Sequence, residues 1–231
     1  VKVRYDAAGF CGHDRLGSAI RLHSGFVDKY IGDAIMALFP GGVADACRAA
    51  VAMNRELETF NSERVARGLA ATRIGIGVHV GRLMLGTIGE PQRMEGTVIS
   101  DAVNVAARLE SLTKIWSTPV LLSEDARDAL PVDEQWSVRS LGRVSLKGKT
   151  EEVGIYELLD ADVVERRASK EASGVAFSKA LDSLRARQYA DAERGFAELA
   201  SNNPDDGPAE LLLNRCRAAR VREAGIFEVL D

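Results

Sequence analysis

Residues 74–81 read Ile-Gly-Ile-Gly-Val-His-Val-Gly, with an apolar residue at every second position and glycine at three of the four positions between. Side chains on a β-strand point alternately to the two faces of its sheet, so this spacing predicts a strand with Ile74, Ile76, Val78 and Val80 on one face. The other face is almost bare. A strand like this belongs where something approaches its backbone closely: another element of the same chain, a ligand or a second subunit. The fold has to be built around a sheet that offers such a face.

The neighbouring segments supply the rest of that sheet. Leu16, Ile20 and Leu22 predict a helix over Asp14–His23, broken by Ser24-Gly25. Two short apolar runs, Phe26–Ile31 and Ala34–Phe39, flank Gly32-Asp33 and predict a hairpin. Pro40-Gly41-Gly42 closes it, and 44–67, rich in Ala, Glu, Arg and Met, predicts a long helix. Arg82–Ile88 and Arg93–Ile99 read as two strands joined by a turn at Gly89–Gln92. Ser100-Asp101 then caps a helix from Ala102 to about Leu112, with Val105, Leu109 and Leu112 as its apolar stripe and Asn104 and Arg108 four apart on a neighbouring face. A strand at Val120–Leu122, a capped helix at Ser123–Leu130 and strands at Trp136–Leu146 and Val153–Leu158 complete an α+β domain over residues 1–159. Residues 160–174 are charged and poor in large apolar side chains, as a solvated linker would be. Residues 175–231 have the spacing of a small helical tail of tetratricopeptide type.

Charge and cysteine usage narrow the function. The formal net charge of −4 lacks the broad basic footprint of a nucleic-acid-binding protein, while leaving room for a phosphate-bearing small molecule. Cys11, Cys47 and Cys216 are odd in number and far apart, which argues against a disulfide framework and for a reducing, cytoplasmic setting. His13, His23 and His79 have no metal-ligand spacing. No apolar run reaches the roughly 20 residues that span a bilayer. The chain opens on Val1 without an initiator Met, so it is expected to be a piece of a longer protein whose upstream region could tether it to a membrane.

Three segments together resemble the class III adenylyl and guanylyl cyclases: Gly25-Phe-Val-Asp-Lys-Tyr-Ile-Gly-Asp33 running on to Phe39, Gly75-Ile-Gly-Val-His-Val-Gly81 running on to Gly86, and Thr97-Val-Ile-Ser-Asp-Ala-Val-Asn-Val-Ala-Ala-Arg-Leu-Glu110. Their order and spacing match as well, and the likeness extends over most of 20–158, including Leu141–Lys149. The resemblance implies a ferredoxin-like βαββαβ core with additional strands and helices, paired with a second copy so that each active site draws on both. It implies conversion of ATP to cyclic AMP and pyrophosphate with two Mg²⁺ or Mn²⁺ ions.

By the same resemblance, Asp33 is a metal carboxylate at the tip of the Gly-Asp turn, a residue type that suits a hard cation. A second metal carboxylate is expected in the family's N-terminal segment, where Asp6 of Tyr-Asp-Ala-Ala-Gly-Phe10 is a partial match, closer to Asp33 than is usual. Lys29 and Thr97 hold the two base-selecting positions. A Lys donates to the ring-nitrogen acceptor of adenine, whereas guanine would favour a carboxylate there. Thr97 in place of the commoner Asp resembles the bicarbonate-responsive subgroup and implies regulation by bicarbonate. Asn104 is the expected ribose-orienting residue, Arg108 the expected transition-state cation, and Lys147 the expected triphosphate ligand. Two alternatives stay open: a guanylyl cyclase, and a weak or inactive homologue serving as a regulatory or dimerisation module. A protein partner for the helical tail is a further expectation.

Overall fold

The computed structural model describes residues 1–5, 13–90, 93–99, 101–146 and 151–223, with backbone alone for 5, 13–15, 85–90, 93–99 and 222–223. Strand β1 (Lys2–Tyr5), helix α1 (His13–Leu22), the hairpin of β2 (Phe26–Ile31) and β3 (Ala34–Leu38), helix α2 (Val43–Ala66) and strand β4 (Ile74–Val78) follow one another along the chain. The four strands lie side by side as β2-β3-β1-β4, each antiparallel to its neighbour. This is the ferredoxin-like βαββαβ arrangement. Both helices cover one face, where Leu16 and Ile20 of α1 and Cys47, Ala50 and Met53 of α2 bury against Val3, Ile35, Ala37, Ile74, Ile76 and Val78.

A separate two-stranded hairpin of β5 (Met84–Glu90) and β6 (Arg93–Ile99) precedes helix α3 (Asp101–Trp116). Strand β7 (Val120–Ser123) then returns parallel to β4, so the β4-α3-β7 unit is a crossover. Ser123 accepts a hydrogen bond from the Ala126 amide and caps the short helix α4 (Glu124–Asp128), as expected. Strands β8 (Val138–Val144) and β9 (Val153–Leu158) complete a seven-stranded sheet in the order β2-β3-β1-β4-β7-β9-β8. The alternation of β7 connects two cores. Val120 and Leu122 join the α1/α2 side, and Leu121 joins the opposite side with Val105, Leu109 and Trp116 of α3.

The bare face of β4 is where α3 lies. A Cβ added at Gly77 would stand 2.2 Å from the Ala106 carbonyl oxygen and 2.5 Å from the Glu110 amide nitrogen, and one at Gly75 would stand 2.2 Å from the Thr113 hydroxyl. Of the three possible visitors to that face, the structure selects an element of the same chain. Only hydrogen at these two positions lets the helix backbone rest on the strand.

Beyond a single 3₁₀ turn at Leu159–Ala161 come α5 (Val164–Ala172), α6 (Gly174–Arg185), α7 (Tyr189–Asn202) and α8 (Gly207–Glu223). Phe177 and Phe196 stack edge to face at 5.4 Å between α6 and α7, and both belong to the core that α3, β7 and β9 share. The stretch expected to be a solvated linker is largely helical, and its Lys170 is buried. Its charges read as solvent-facing because a sequence does not show that they have buried partners. Cys47 and Cys216 are free and buried, and burial, aided by Asp160, pushes the Cys47 thiol up to about 12. Among the described residues no helix is long and apolar enough to cross a membrane.

Candidate active site

Asp33 and Lys29 are placed by the hairpin. Ile31 pairs with Ala34, leaving Gly32-Asp33 as a two-residue turn, and Gly32 adopts φ +58°, a conformation that glycine enters without steric cost. Asp33 is thereby held, partly exposed, at the apex. Further back, the register between β2 and β3 shifts between Val27 and Lys29. This bulge matters for the site. Val27 packs into the α1/α2 core, and the Tyr30 hydroxyl lies close to α1 at Gly17, although Tyr30 is three positions after Val27, an odd step. The extra residue reconciles that odd spacing and leaves Lys29 on the other face. Lys29 opposes Met36, Met36 opposes Lys2, and Lys2 opposes Gly77, so these four residues form one row across β2, β3, β1 and β4 on the face that carries α3. Lys29 is half-exposed there and pairs with Asp28 at 3.3 Å.

The glycine contact with β4 sets the position of α3. Asn104 is exposed on its N-terminal half, and Arg108, one turn on, is partly buried. Nη1 of Arg108 is buried without a hydrogen-bond partner among the described residues. A guanidinium nitrogen shut off from water and left unbonded is costly unless a ligand completes it. Glu110 follows on the same helix, almost wholly buried, with one carboxylate oxygen 3.3 Å from Nε of Arg4 and the other unpaired among the described residues. Burial pushes its carboxyl above the usual range, Arg4 and Lys2 pull it back, and Asp33 pushes it up again. The charge of the turn carboxylate thus reaches the helix that bears Arg108.

Sequence reading did not single out Lys2, Arg4 or Glu110. The signal was there in Lys-Val-Arg, whose alternation puts two cations on one face of a strand. Thr97 sits in β6 opposite Gly86, with only its backbone described. Asp6 and Lys147 lie outside the described residues, as does Ser100 of the expected helix cap. His79 Nδ1 is 2.7 Å from the Ser123 hydroxyl, in a packing role. Among the described residues no three His, Cys, Asp or Glu side chains cluster as a metal cage, and Asp33 is the carboxylate at the apex of the turn.

Residues 25–159 match the family model described as the adenylate and guanylate cyclase catalytic domain. An adenylate cyclase of Anabaena cylindrica is 45% identical over 149 residues, which is 62% of this chain and 30% of that protein. A terminal-differentiation-specific adenylate cyclase of Dictyostelium discoideum is 32% identical over 198 residues, 83% of this chain and 9% of its own length. That match is longer than residues 1–159, so it runs on into the helices that follow. The structure of a bacterial light-regulated adenylyl cyclase superposes with a TM-score of 0.58 at 27% identity, covering 65% of this chain and 44% of that one. The chain therefore spans less than a third of the length of either sequence relative. With the ferredoxin-like core, the apical Asp33 and the Asn104–Arg108 helix in place, the chain belongs to the adenylate and guanylate cyclase catalytic domain family.

Proposed function

We propose that the chain is an adenylyl cyclase, converting ATP to 3′,5′-cyclic AMP and pyrophosphate at sites shared by two copies. The observation that carries this reading is the buried, unbonded Nη1 of Arg108, one turn from exposed Asn104 on a helix pinned to the sheet. In the reaction the ribose 3′-hydroxyl loses its proton, its oxygen bonds to the α-phosphorus and the bond to pyrophosphate breaks. Negative charge grows on the phosphoryl oxygens as this happens. Arg108 meets that charge, and Asn104 orients the ribose. Lys29, a donor without acceptor capacity, favours the adenine ring nitrogen over guanine N–H, with Thr97 as its companion. Lys147 binds the triphosphate. Asp33, together with Asp6, would hold two divalent cations, for which carboxylate oxygens are the fitting donors; when bound these ions lower the 3′-hydroxyl pKa and balance phosphate charge. Exposed apolar side chains on β2, Phe26, Tyr30 and Ile31, suit a surface covered by the second copy.

The test is cyclic nucleotide formation from ATP and, separately, from GTP, with Mg²⁺ and with Mn²⁺. Cyclic AMP is expected from ATP, lost in Asp33→Ala and reduced in Arg108→Ala through kcat more than KM. Product from GTP in preference to ATP would overturn the base assignment, and a change confined to KM in Arg108→Ala would overturn the transition-state role.

A further inference from the structure

The helices after the cyclase sheet are joined to it by a buried chain of charges. Both terminal nitrogens of Arg139 on β8 donate to the Asp206 carboxylate at 2.7 Å, and its Nε donates to Glu157 on β9. Lys170 of α5 donates to Glu157 and to Asp162, each at 2.8 Å. The Arg139, Glu157, Lys170 and Asp206 side chains are at most 6% exposed, and the Arg139 guanidinium lies 4.0 Å from the centroid of the Phe177 ring. A fork of this kind is directional: the planar guanidinium donates both bonds to its carboxylate in one orientation.

Asp206 also begins α8, accepting a hydrogen bond from the Ala209 amide. The helix it starts is seated on the end of α3. A Cβ at Gly207 would stand 2.4 Å from Cβ of Ser117 and 3.2 Å from the Trp116 carbonyl oxygen, and Arg215 stacks 4.9 Å from the centroid of the buried Trp116 ring. Trp116 is two turns from Arg108, about 12 Å along the helix axis at 1.5 Å per residue. A tilt admitted at the Trp116 end is carried rigidly to the guanidinium.

We infer that Asp206 is a positioning residue for catalysis, locking α8 against the end of α3 and so setting where Arg108 and Asn104 stand. The inference rests on the roles of those two residues under the proposed function. The helical unit then supports the catalytic helix, which is a use separate from any partner it binds. Asp206→Asn is the informative change, because Asn keeps the helix cap and the shape but removes the charge that fixes the Arg139 fork.

In the full chain with ATP and metal, Asp206→Asn is expected to lower kcat about tenfold with KM little changed, since about 1 Å of misplacement costs up to about a hundredfold. In an Arg108→Ala background the same substitution is expected to cost clearly less than in the native chain, since only the placement of Asn104 is then left to lose. An undiminished kcat, or a loss that adds in full to that of Arg108→Ala, would overturn the inference. Amide hydrogen exchange gives a readout independent of turnover: Asp206→Asn should speed exchange in 109–116 of α3, and unchanged protection there sinks the idea even if the native chain forms no cyclic nucleotide. That last result would count against the cyclase reading alone. Should Asp206→Asn fail to fold, Arg215→Met removes the stacking on Trp116 without touching the buried charges and should show the same kcat and exchange changes in smaller measure.

Discussion

Glu110 concentrates the residue-scale physics of the site. Its carboxyl is buried, one oxygen meets Arg4 and the other meets no partner among the described residues, and burial raises its proton affinity above that of an ordinary glutamate. The folded chain therefore holds this proton more tightly than the unfolded chain does. Stability contributed by the neutral form is present below the ordinary carboxylate range and declines as pH rises through the raised pKa. Glu110→Gln removes that titration. The variant is expected to gain in melting temperature relative to the native chain on going from pH 4.5 to pH 8, and thermal melts at the two pH values would show it; a constant difference would mean that the Arg4 contact cancels the cost of burial. Asn104 and Arg108 were legible as a pair four apart on a helix. Glu110 was not, because its weight comes from burial and from the Arg4, Lys2 and Asp33 charges that only folding brings near it.

Among the elements, α3 against β4 is the contact on which the site depends. The alternation in 74–81 announced a strand with a bare face, and the spacing of Val105 and Leu109 announced a helix; neither said that the one rests on the other. The physical reason is that a missing side chain specifies a space without specifying its occupant. Gly77→Ala tests the occupant found here. The new methyl would meet the Ala106 carbonyl and the Glu110 amide, both backbone groups that cannot turn aside. A loss of roughly 1–3 kcal/mol in urea unfolding is expected, as for other overpacked cores. Turnover at saturating ATP should fall by more than that loss of stability explains, since α3 must lift away from the sheet. The hairpin behaves differently. Apolar runs on either side of Gly-Asp were sufficient to locate β2, β3 and the apical Asp33, because turn chemistry is local. The face on which Lys29 lies was settled by a bulge that depends on the opposite strand.

At the scale of the whole molecule, the sheet carries helices on both faces, and the helices expected as a small tail beyond a linker pack on one of them. Phe177, Phe196, Leu199 and Leu212 share a buried core with Trp116, Leu121 and Ile155. Unfolding is therefore expected as one transition, with tryptophan fluorescence, reporting Trp116 and Trp136 in the two cores of the cyclase sheet, and helical circular dichroism coinciding. Phe196→Ala should destabilise that single transition by about 3–5 kcal/mol. Two separated transitions, with Trp116 unaffected by the substitution, would show that the units fold apart. The buried Arg139, Glu157, Lys170 and Asp206 give the docking its orientation; such charges offset much of their own attraction by desolvation and act more through specificity than through net stability. By itself the sequence determined what local spacing can encode: the helices and strands of the βαββαβ core other than β1, the Gly-Asp turn that presents Asp33, and Asn104 and Arg108 on one helix, together with the family they resemble. Tertiary structure alone decided which element fills the glycine face, which side of the sheet Lys29 serves, and that charges in 157–206 turn inward to clasp one another. These depend on residues far apart in the chain meeting as the two cores close, and periodicity along a single segment holds no record of its distant partners.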